Sequence, residues 1–443
     1  MRIGVIYELP LKKIGKKAFG FGFGTLISRL TGLLREVVFA WIFGAGYEMD
    51  AFRVAWRIPN LIRDMLAEGA LVPSFIPIFG DKYKKDKKSA YQFANNFSGT
   101  MLFISLIIVA IGVIFAPFWS KIIGPGFIKI SYKFQLTVTL LRYVFFFLIF
   151  IVLAAFAMGV LNYFGRFFIT GVTPAFFNIG IILCGVLLSK TLGIKSLAFG
   201  VVFGSFIYFL SQIVFFKDFG YKWRPQACLT SDVKHALKIM LPIALSYGVM
   251  RINSAINTVI ATFLETGSVS YLEYAFRIMQ LPVGIVGVAL ANVILPEVSH
   301  NPGETLRLVK SSIVYLLLIC LPITLVLFFF PTPIVSIIYK RGAFTYTDAV
   351  NTGLALKYYG IGIIPVSLSR ILSMCFYGLK RPKIPLQVTA WTILVNTSLA
   401  ITFAKTLSFP GIALATSIAG VFNMTLLFIR LKKEIKFTQK HGS

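Results

Sequence analysis

Arginine is the residue type through which this chain can do chemistry. Arg29, Arg35, Arg53, Arg57, Arg63, Arg142, Arg251, Arg277 and Arg370 all fall inside long apolar runs. An arginine at the middle of a membrane-spanning helix costs roughly 2.5 to 3.5 kcal/mol on insertion scales, so this set cannot all face lipid. Most must line a wet cavity or pair internally. On one helix at 100 degrees per residue, Asp50, Arg57, Asp64 and Glu68 fall within about 40 degrees of one another. Arg63 lies off that stripe in an ideal helix, and Pro59 between them is a place for a kink that rotates the lower half. Arg29 and Glu36, seven residues apart, share a face, as do Glu273, Arg277 and Gln280.

Two uses compete for these charges. Buried ion pairs that lock helices together account for Asp64, Glu68, Glu36 and Arg53 at least as well as a direct role with a ligand. The set as a whole has more interior arginines than interior acids. The guanidinium fork suits phosphate and carboxylate oxygens, so surplus arginine in a cavity points to an anionic cargo. Arg142 and Arg370 fit snorkelling or helix bracing better. Soluble-enzyme motifs are absent: there is no phosphate-binding glycine loop and no His, Cys and carboxylate set at ligand spacing. His235, His300 and His441 lie in or beside loops, and Cys184, Cys228, Cys320 and Cys375 are scattered. Gly20, Gly22 and Gly24 sit within a helix, where close helix packing explains them.

The elements that position these residues follow from hydropathy. Of 443 residues 57% are hydrophobic, and they come in blocks such as 101–118, 145–160 and 313–330. About twelve such blocks reach the roughly 20 residues needed to cross a bilayer. The spans read as 17–43, 50–79, 90–118, 133–163, 169–188 and 196–216, then 233–264, 269–299, 306–330, 347–378, 385–405 and 412–431. The first is taken as a retained span, since arginines interrupt it and no small-residue cleavage site follows Lys12, Lys13, Lys16 and Lys17. The net charge of +28 does not imply nucleic acid, because it is segregated. Counting alternate loops puts about 26 Lys and Arg on one side and about 8 on the other, which makes both termini cytoplasmic. The basic loops then meet anionic headgroups.

The halves repeat. Tyr274-Ala275-Phe276-Arg277-Ile278 parallels Val54-Ala55-Trp56-Arg57-Ile58, and Arg251 parallels Arg29. Six spans is an even number, so the copies run parallel, and transporters of this kind bind substrate between halves. The chain therefore divides into an N-terminal lobe, 1–216, a cytoplasmic connection, 217–232, a C-terminal lobe, 233–431, and a basic cytoplasmic tail, 432–443. The expected class is an all-α polytopic membrane protein, two six-helix lobes around a central cationic cavity.

Ser28-Arg29-Leu30-Thr31-Gly32-Leu33-Leu34-Arg35-Glu36, Phe43-Gly44-Ala45-Gly46, Asp50-Ala51-Phe52, Ile58-Pro59-Asn60-Leu61-Ile62-Arg63, Ala67-Glu68-Gly69-Ala70 and Phe75-Ile76-Pro77 resemble the N-terminal signature of the MurJ (MviN) lipid II flippases. Gly267-Ser268-Val269-Ser270, Tyr274-Ala275-Phe276-Arg277 and Gly284-Ile285-Val286-Gly287-Val288-Ala289 extend the match into the second half. The resemblance implies the multidrug/oligosaccharidyl-lipid/polysaccharide exporter fold, alternating access, and a cargo of lipid II in the bacterial cytoplasmic membrane. It carries the important cavity positions to Arg29, Arg35, Arg63 and Arg277, and with Arg57, at a position basic in relatives, these make up the expected substrate-binding set. Gating or ion-pair roles fall on Glu36, Asp50, Asp64, Glu68, Glu273 and Gln280. Glu36 stands where aspartate is common, and Gln280 where some members have glutamate. Many relatives have fourteen helices, the last two forming a groove for the polyprenyl tail, against about twelve spans here. Where some relatives hold sodium with acids, this chain offers Asn257, Asn396 and Thr416 as a candidate cation site.

No enzymatic activity and no cofactor are expected, and transport is coupled to membrane potential or a monovalent cation. Cell-wall synthases are candidate partners. The competing functions are export of another lipid-linked oligosaccharide, cation-coupled drug efflux, and a non-transporting scaffold for those synthases. Efflux of cationic drugs calls for cavity carboxylates in excess, the opposite of this charge balance. A scaffold needs its loop lysines and can dispense with its interior arginines.

Overall fold

The computed structural model describes residues 5–287, 290, 291, 294, 297–299 and 302–441; His300 and the side chain of Glu68 lie outside the described residues. Every regular element among them is helical. In chain order these are α1 (Val5–Phe43), α2 (Tyr47–Arg63), a π turn (Asp64–Ala70), α3 (Leu71–Lys85), α4 (Lys87–Ile114), α5 (Ala116–Ile123), α6 (Ser131–Phe145), α7 (Phe147–Tyr163), α8 (Phe167–Val172), α9 (Pro174–Leu192) and α10 (Lys195–Ile213). Then come α11 (Ser231–Ala261), α12 (Ser268–Pro282) with a π turn (Val283–Gly287), α13 (Thr305–Phe329), α14 (Pro331–Tyr339), α15 (Tyr346–Ile361), α16 (Ile363–Gly378), α17 (Lys383–Leu407) and α18 (Phe409–His441).

Seven helical runs among the described residues are long and apolar enough to cross a membrane, and nine if each of two bent pairs counts as one span. Of the three other spans expected from the sequence, 17–43 falls within α1, 50–79 runs from α2 through α3, and 269–299 begins with α12 and its π turn and continues into residues that lie partly outside those described. Each carries the charges of the candidate site, which lowers its hydropathy. The bend of 43° between α15 and α16 has a local cause: Pro365 in the first turn of α16 has no amide hydrogen to continue the helical ladder. In the second span Pro59 does not break the helix, which runs on to Arg63. The irregularity is the π turn that follows, where the Leu71 amide bonds to the Leu66 carbonyl five residues back. The second π turn starts six residues after Arg277, as the first starts seven after Arg57. The two halves thus repeat a local distortion as well as a motif.

The chain forms two compact units. One comprises Met1–Phe43 and Ala51–Arg251, the other Gly44–Asp50 and Ile252–Ser443. The first unit is built on an aromatic stack in which Phe75 meets Phe79, Phe93, Phe97 and Phe156 at ring separations of 5.1 to 5.6 Å. Helices α9 and α10 lie almost backbone to backbone: a Cβ on Gly180 would sit 2.5 Å from Gly204 Cα, and one on Gly204 would strike the Phe177 carbonyl. Neither backbone can yield as a side chain would, so Gly204→Ala is expected to force the helices apart at about 1–3 kcal/mol, measured as a fall in the thermal midpoint of the full chain. Of the three alternating glycines in α1, Gly24 makes the close approach, to α8, whereas nothing lies within 4 Å of a Cβ on Gly22.

Between α10 and α11 the chain crosses α4 as an extended strap. Tyr221 Oη and the Arg224 amide both donate to Asn95 Oδ1 at 2.9 Å, the Gln226 amide donates to the Asn95 carbonyl, and Trp223 Nε1 donates to Ser98 Oγ at 3.0 Å. Burial, and then the neighbouring Tyr91, raises the Tyr221 hydroxyl far above its ordinary range, so it stays a donor at any physiological pH.

In the second unit α12 packs on α15, and α17 on α18. Thr345 and Asp348 form a reciprocal capping box at the start of α15. The helical conformation of α18 continues through the basic tail to His441.

Candidate functional site

In the first unit the interior charges form two carboxylate-centred clusters. Glu36 is completely buried and accepts from Arg35 and from Arg53, each at 2.6 Å. Arg35 also donates to Asn178 Oδ1 at 3.0 Å, and the Asn178 amide in turn donates to the Ser28 carbonyl and Thr31 Oγ1. The Arg35 guanidinium lies 5.0 Å from the Trp56 ring centroid and that of Arg53 lies 5.6 Å from Phe39. Two cations held by one carboxylate and several aromatic faces keep a net positive charge in a dry environment. Arg35 is therefore brought together with its predicted partner Glu36, in an enclosed position.

The second cluster centres on Asp64. Its Oδ1 accepts from Arg63 at 2.8 Å, and Oδ2 from Arg251 at 2.9 Å. Asp64 itself is buried, while the Arg251 side chain is 50% exposed. Arg63, off the stripe of an ideal helix, reaches this carboxylate from the adjacent residue, so no rotation at Pro59 is needed. Arg57 is half-buried and Arg29 exposed. In this unit Arg35 and Arg53 share Glu36, and Arg63 and Arg251 share Asp64, so each of these two carboxylates serves two cations.

In the second unit Arg277 lies 3.6 Å from Glu273 one turn away, with its side chain 36% exposed. Gln280 continues the same face, half-buried. Asp50 belongs to this unit, and its carboxylate is used as a helix cap. Oδ2 accepts from the Gly267 amide at 2.7 Å, and Oδ1 from the Ser270 amide at 3.0 Å and its hydroxyl at 2.7 Å. Gly267 holds φ at +96°, the left-handed region that favours glycine. The buried carboxylate thus satisfies amides that the start of α12 leaves open, and its charge complements the helix dipole. Asp50→Ala is expected to destabilise the chain by about 2–4 kcal/mol, since three bonds to an ionised acceptor are lost, and Asp50→Asn by less. Thermal unfolding of both variants checks this.

Asn257, Asn396 and Thr416 come together in one hydrogen-bonded chain. Asn396 Nδ2 donates to Asn257 Oδ1 at 2.8 Å, and Asn257 Nδ2 donates to Thr416 Oγ1 at 3.0 Å. All three side chains are neutral. Among the described residues no group of His, Cys, Asp or Glu could hold a metal ion.

Sequence reasoning missed the neutral supports: Asn178 beneath Arg35, Ser270 and Gly267 beneath Asp50, and Tyr271, whose hydroxyl donates to Asp348 at 3.0 Å. Asn178 was the one with a usable signal, a lone amide within an apolar span.

Comparison with known proteins converges on one description. A family described as lipid II flippase MurJ matches residues 39–443. A relative from Buchnera aphidicola subsp. Schizaphis graminum, named a probable lipid II flippase MurJ, is 33% identical over 441 residues, covering 94% of this chain and 83% of the relative. A Burkholderia cenocepacia protein named lipid II flippase MurJ is 31% identical over 422 residues, covering 92% and 82%. Among solved structures, a lipid II flippase MurJ in an inward closed conformation aligns with a TM-score of 0.82 at 29% identity, covering 93% of this chain and 87% of that one. An inward-facing multidrug resistance MATE family transporter of the MOP superfamily aligns with a TM-score of 0.75 at 15% identity, covering 94% and 96%, and at that identity the likeness is of fold.

Proposed function

The chain belongs to the lipid II flippase MurJ family, and we infer that it moves lipid II from the cytoplasmic to the outer leaflet of a membrane. The observation that carries this reading, beyond family membership, is the excess of interior arginine over carboxylate. A pyrophosphate is the charge such a surplus is suited to receive.

We propose a division of labour among the arginines. Arg29, Arg57, Arg63 and Arg277 bind the pyrophosphate and the carboxylates of the cargo; in support, Arg29 is exposed and the other three are partly so, whereas Arg35 is buried. Arg251 joins them, sharing Asp64 with Arg63. Arg35 acts with Arg53 and Glu36 as a structural cluster whose net charge reaches the site through the low-dielectric interior. Asp64 moves between its arginines and solvent as cargo arrives, and Glu273 plays the same part for Arg277. Glu68 and Gln280 complete the gating set, and Asp50 preserves the start of α12.

The membrane is the bacterial cytoplasmic membrane, with both termini and the 217–232 connection on the cytoplasmic side, where most of the lysines lie. There Lys82, Lys84, Lys85, Lys87 and Lys88 meet anionic headgroups, and cell-wall synthases are partners at the same face. Residues 1–216 and 233–431 are the two transport lobes, and 432–443 the basic tail. Alternating access is driven by membrane potential or a monovalent cation, with Asn257, Asn396 and Thr416 as the cation's candidate ligands.

The test is complementation in cells depleted of their own lipid II flippase. Lipid II at the outer leaflet is measured while this chain is expressed and shown to reach the membrane. Restored exposure is the expected result. A well-inserted wild type that restores none overturns the assignment of lipid II as cargo.

A further inference from the structure

From Lys87 to Lys217 the chain contains no aspartate or glutamate. This stretch supplies the spans α4, α6 with α7, α9 and α10. Five of its cations, Lys121, Lys129, Arg142, Lys190 and Lys195, are exposed at the end of the unit remote from the 217–232 strap. None of the five has an ion pair or hydrogen bond to another side chain among the described residues.

The level of Arg142 is set by its neighbours. The run Ser131–Tyr163 has 33 residues, which is about 50 Å of helix against a hydrocarbon layer of about 30 Å. Its Tyr163 end is fixed in an aromatic cluster with Tyr83 and Phe164, beside the basic end of α3. The excess length therefore projects at the Ser131 end. Two contacts set the level of Arg142 against its neighbouring helices. Phe145 packs against Gly112, in the last turn of α4. Tyr143 stacks 5.1 Å from Phe199, one turn inside the Lys195 end of α10. Arg142 lies one residue farther out, and counted back from Tyr163 a hydrocarbon layer of about 30 Å takes up about 20 helical residues, so Arg142 falls at its limit.

The surface around this boundary is lipid-facing on its inner side, with Phe103, Ile107 and Ile111 of α4 and Phe199, Phe203 and Phe206 of α10 exposed. Its outer side carries the five cations among exposed apolar side chains such as Phe118, Ile122 and Leu187, with no carboxylate from the same stretch. We propose that this rim is a docking surface for an anionic phospholipid of the outer leaflet, whose phosphodiester is held by Arg142 between Lys121 at the end of α5 and Lys195 at the start of α10. An apolar belt for acyl chains runs directly into unpaired cations at headgroup depth, and the neighbouring spans offer no carboxylate to neutralise them. Cations are disfavoured on the outward side of a membrane protein, which makes a cluster of this kind informative. The assignment of the outer leaflet rests on the orientation proposed above.

The test uses the full chain, purified and placed in nanodiscs of phosphatidylcholine with graded phosphatidylglycerol, and reads retained phosphatidylglycerol by native mass spectrometry. Each cation near an anionic surface changes affinity roughly fivefold, so Lys121→Gln, Arg142→Gln and Lys195→Gln together are expected to weaken retention about a hundredfold. Arg142→Lys keeps the charge and is expected to retain the lipid. Unchanged retention in a triple variant that elutes and melts like the wild type overturns the proposal. Orientation is read separately, by labelling Lys195→Cys in intact cells with a membrane-impermeant thiol reagent. Labelling from outside is expected. Labelling only after permeabilisation overturns the orientation and with it the outer-leaflet assignment, whatever the retention shows.

Discussion

Arg277→Ala is expected to lower lipid II exposure at the outer leaflet by at least about 30-fold while leaving the protein folded. Truncating one partner of a buried, hydrogen-bonded charge pair costs about 2–5 kcal/mol in binding, which sets that scale. The Glu273 contact adds little to the fold, because the Arg277 side chain is 36% exposed and that contact spans 3.6 Å within one helix. Pairs of that kind contribute roughly 0.3–0.5 kcal/mol. The thermal midpoint should therefore hardly move, and this separates loss of binding from loss of fold. Arg277→Lys keeps the charge without the planar fork and should restore only part of the activity. Full flipping by Arg277→Ala in a folded protein would remove this residue from the site.

Glu36→Gln is expected to act in the opposite way, through stability. Its carboxylate is the shared acceptor of Arg35 and Arg53, both at 2.6 Å and all three nearly enclosed. Breaking a buried ion pair from one side leaves an uncompensated charge and costs about 3–5 kcal/mol. The full chain should melt well below the wild type. Adding Arg53→Gln should recover part of the loss, because one of the two orphaned cations goes with it. Glu36→Asp preserves the charge and should be the mildest of the three. If Glu36→Gln melts with the wild type while flipping fails, the cluster is functional rather than structural, and the division of labour proposed for the arginines must be redrawn.

Much of the architecture is legible in the sequence because the bilayer constrains it so strongly. Backbone groups in hydrocarbon must be bonded internally, so a long apolar run can be read as a helix without knowing its neighbours. The runs 87–114 and 305–329 show it plainly. The repeat of Arg57 in Arg277 is legible for the same reason, as a costly residue placed twice. The neutral partners are not legible. Asn178 supports Arg35 from 143 residues away, and Ser270 supports Asp50 from 220 residues away. Such pairings leave no local period or spacing.

The sequence by itself determined the membrane class, the helices, the segregation of positive charge and the surplus of arginine over acid, because each depends on composition within a span or a loop. Only the tertiary structure decided which arginine meets which acid. Arg35 and Arg63 look alike in the chain, yet one is enclosed with Glu36 and Asn178, and the other shares Asp64 with a half-exposed Arg251. Asp50 lies on the same helical stripe as Arg57, and folding assigns it to the amides of α12. The physical reason is that the worth of a charge inside a protein is set by the donors and acceptors packed around it. Those come from elements far apart in the chain.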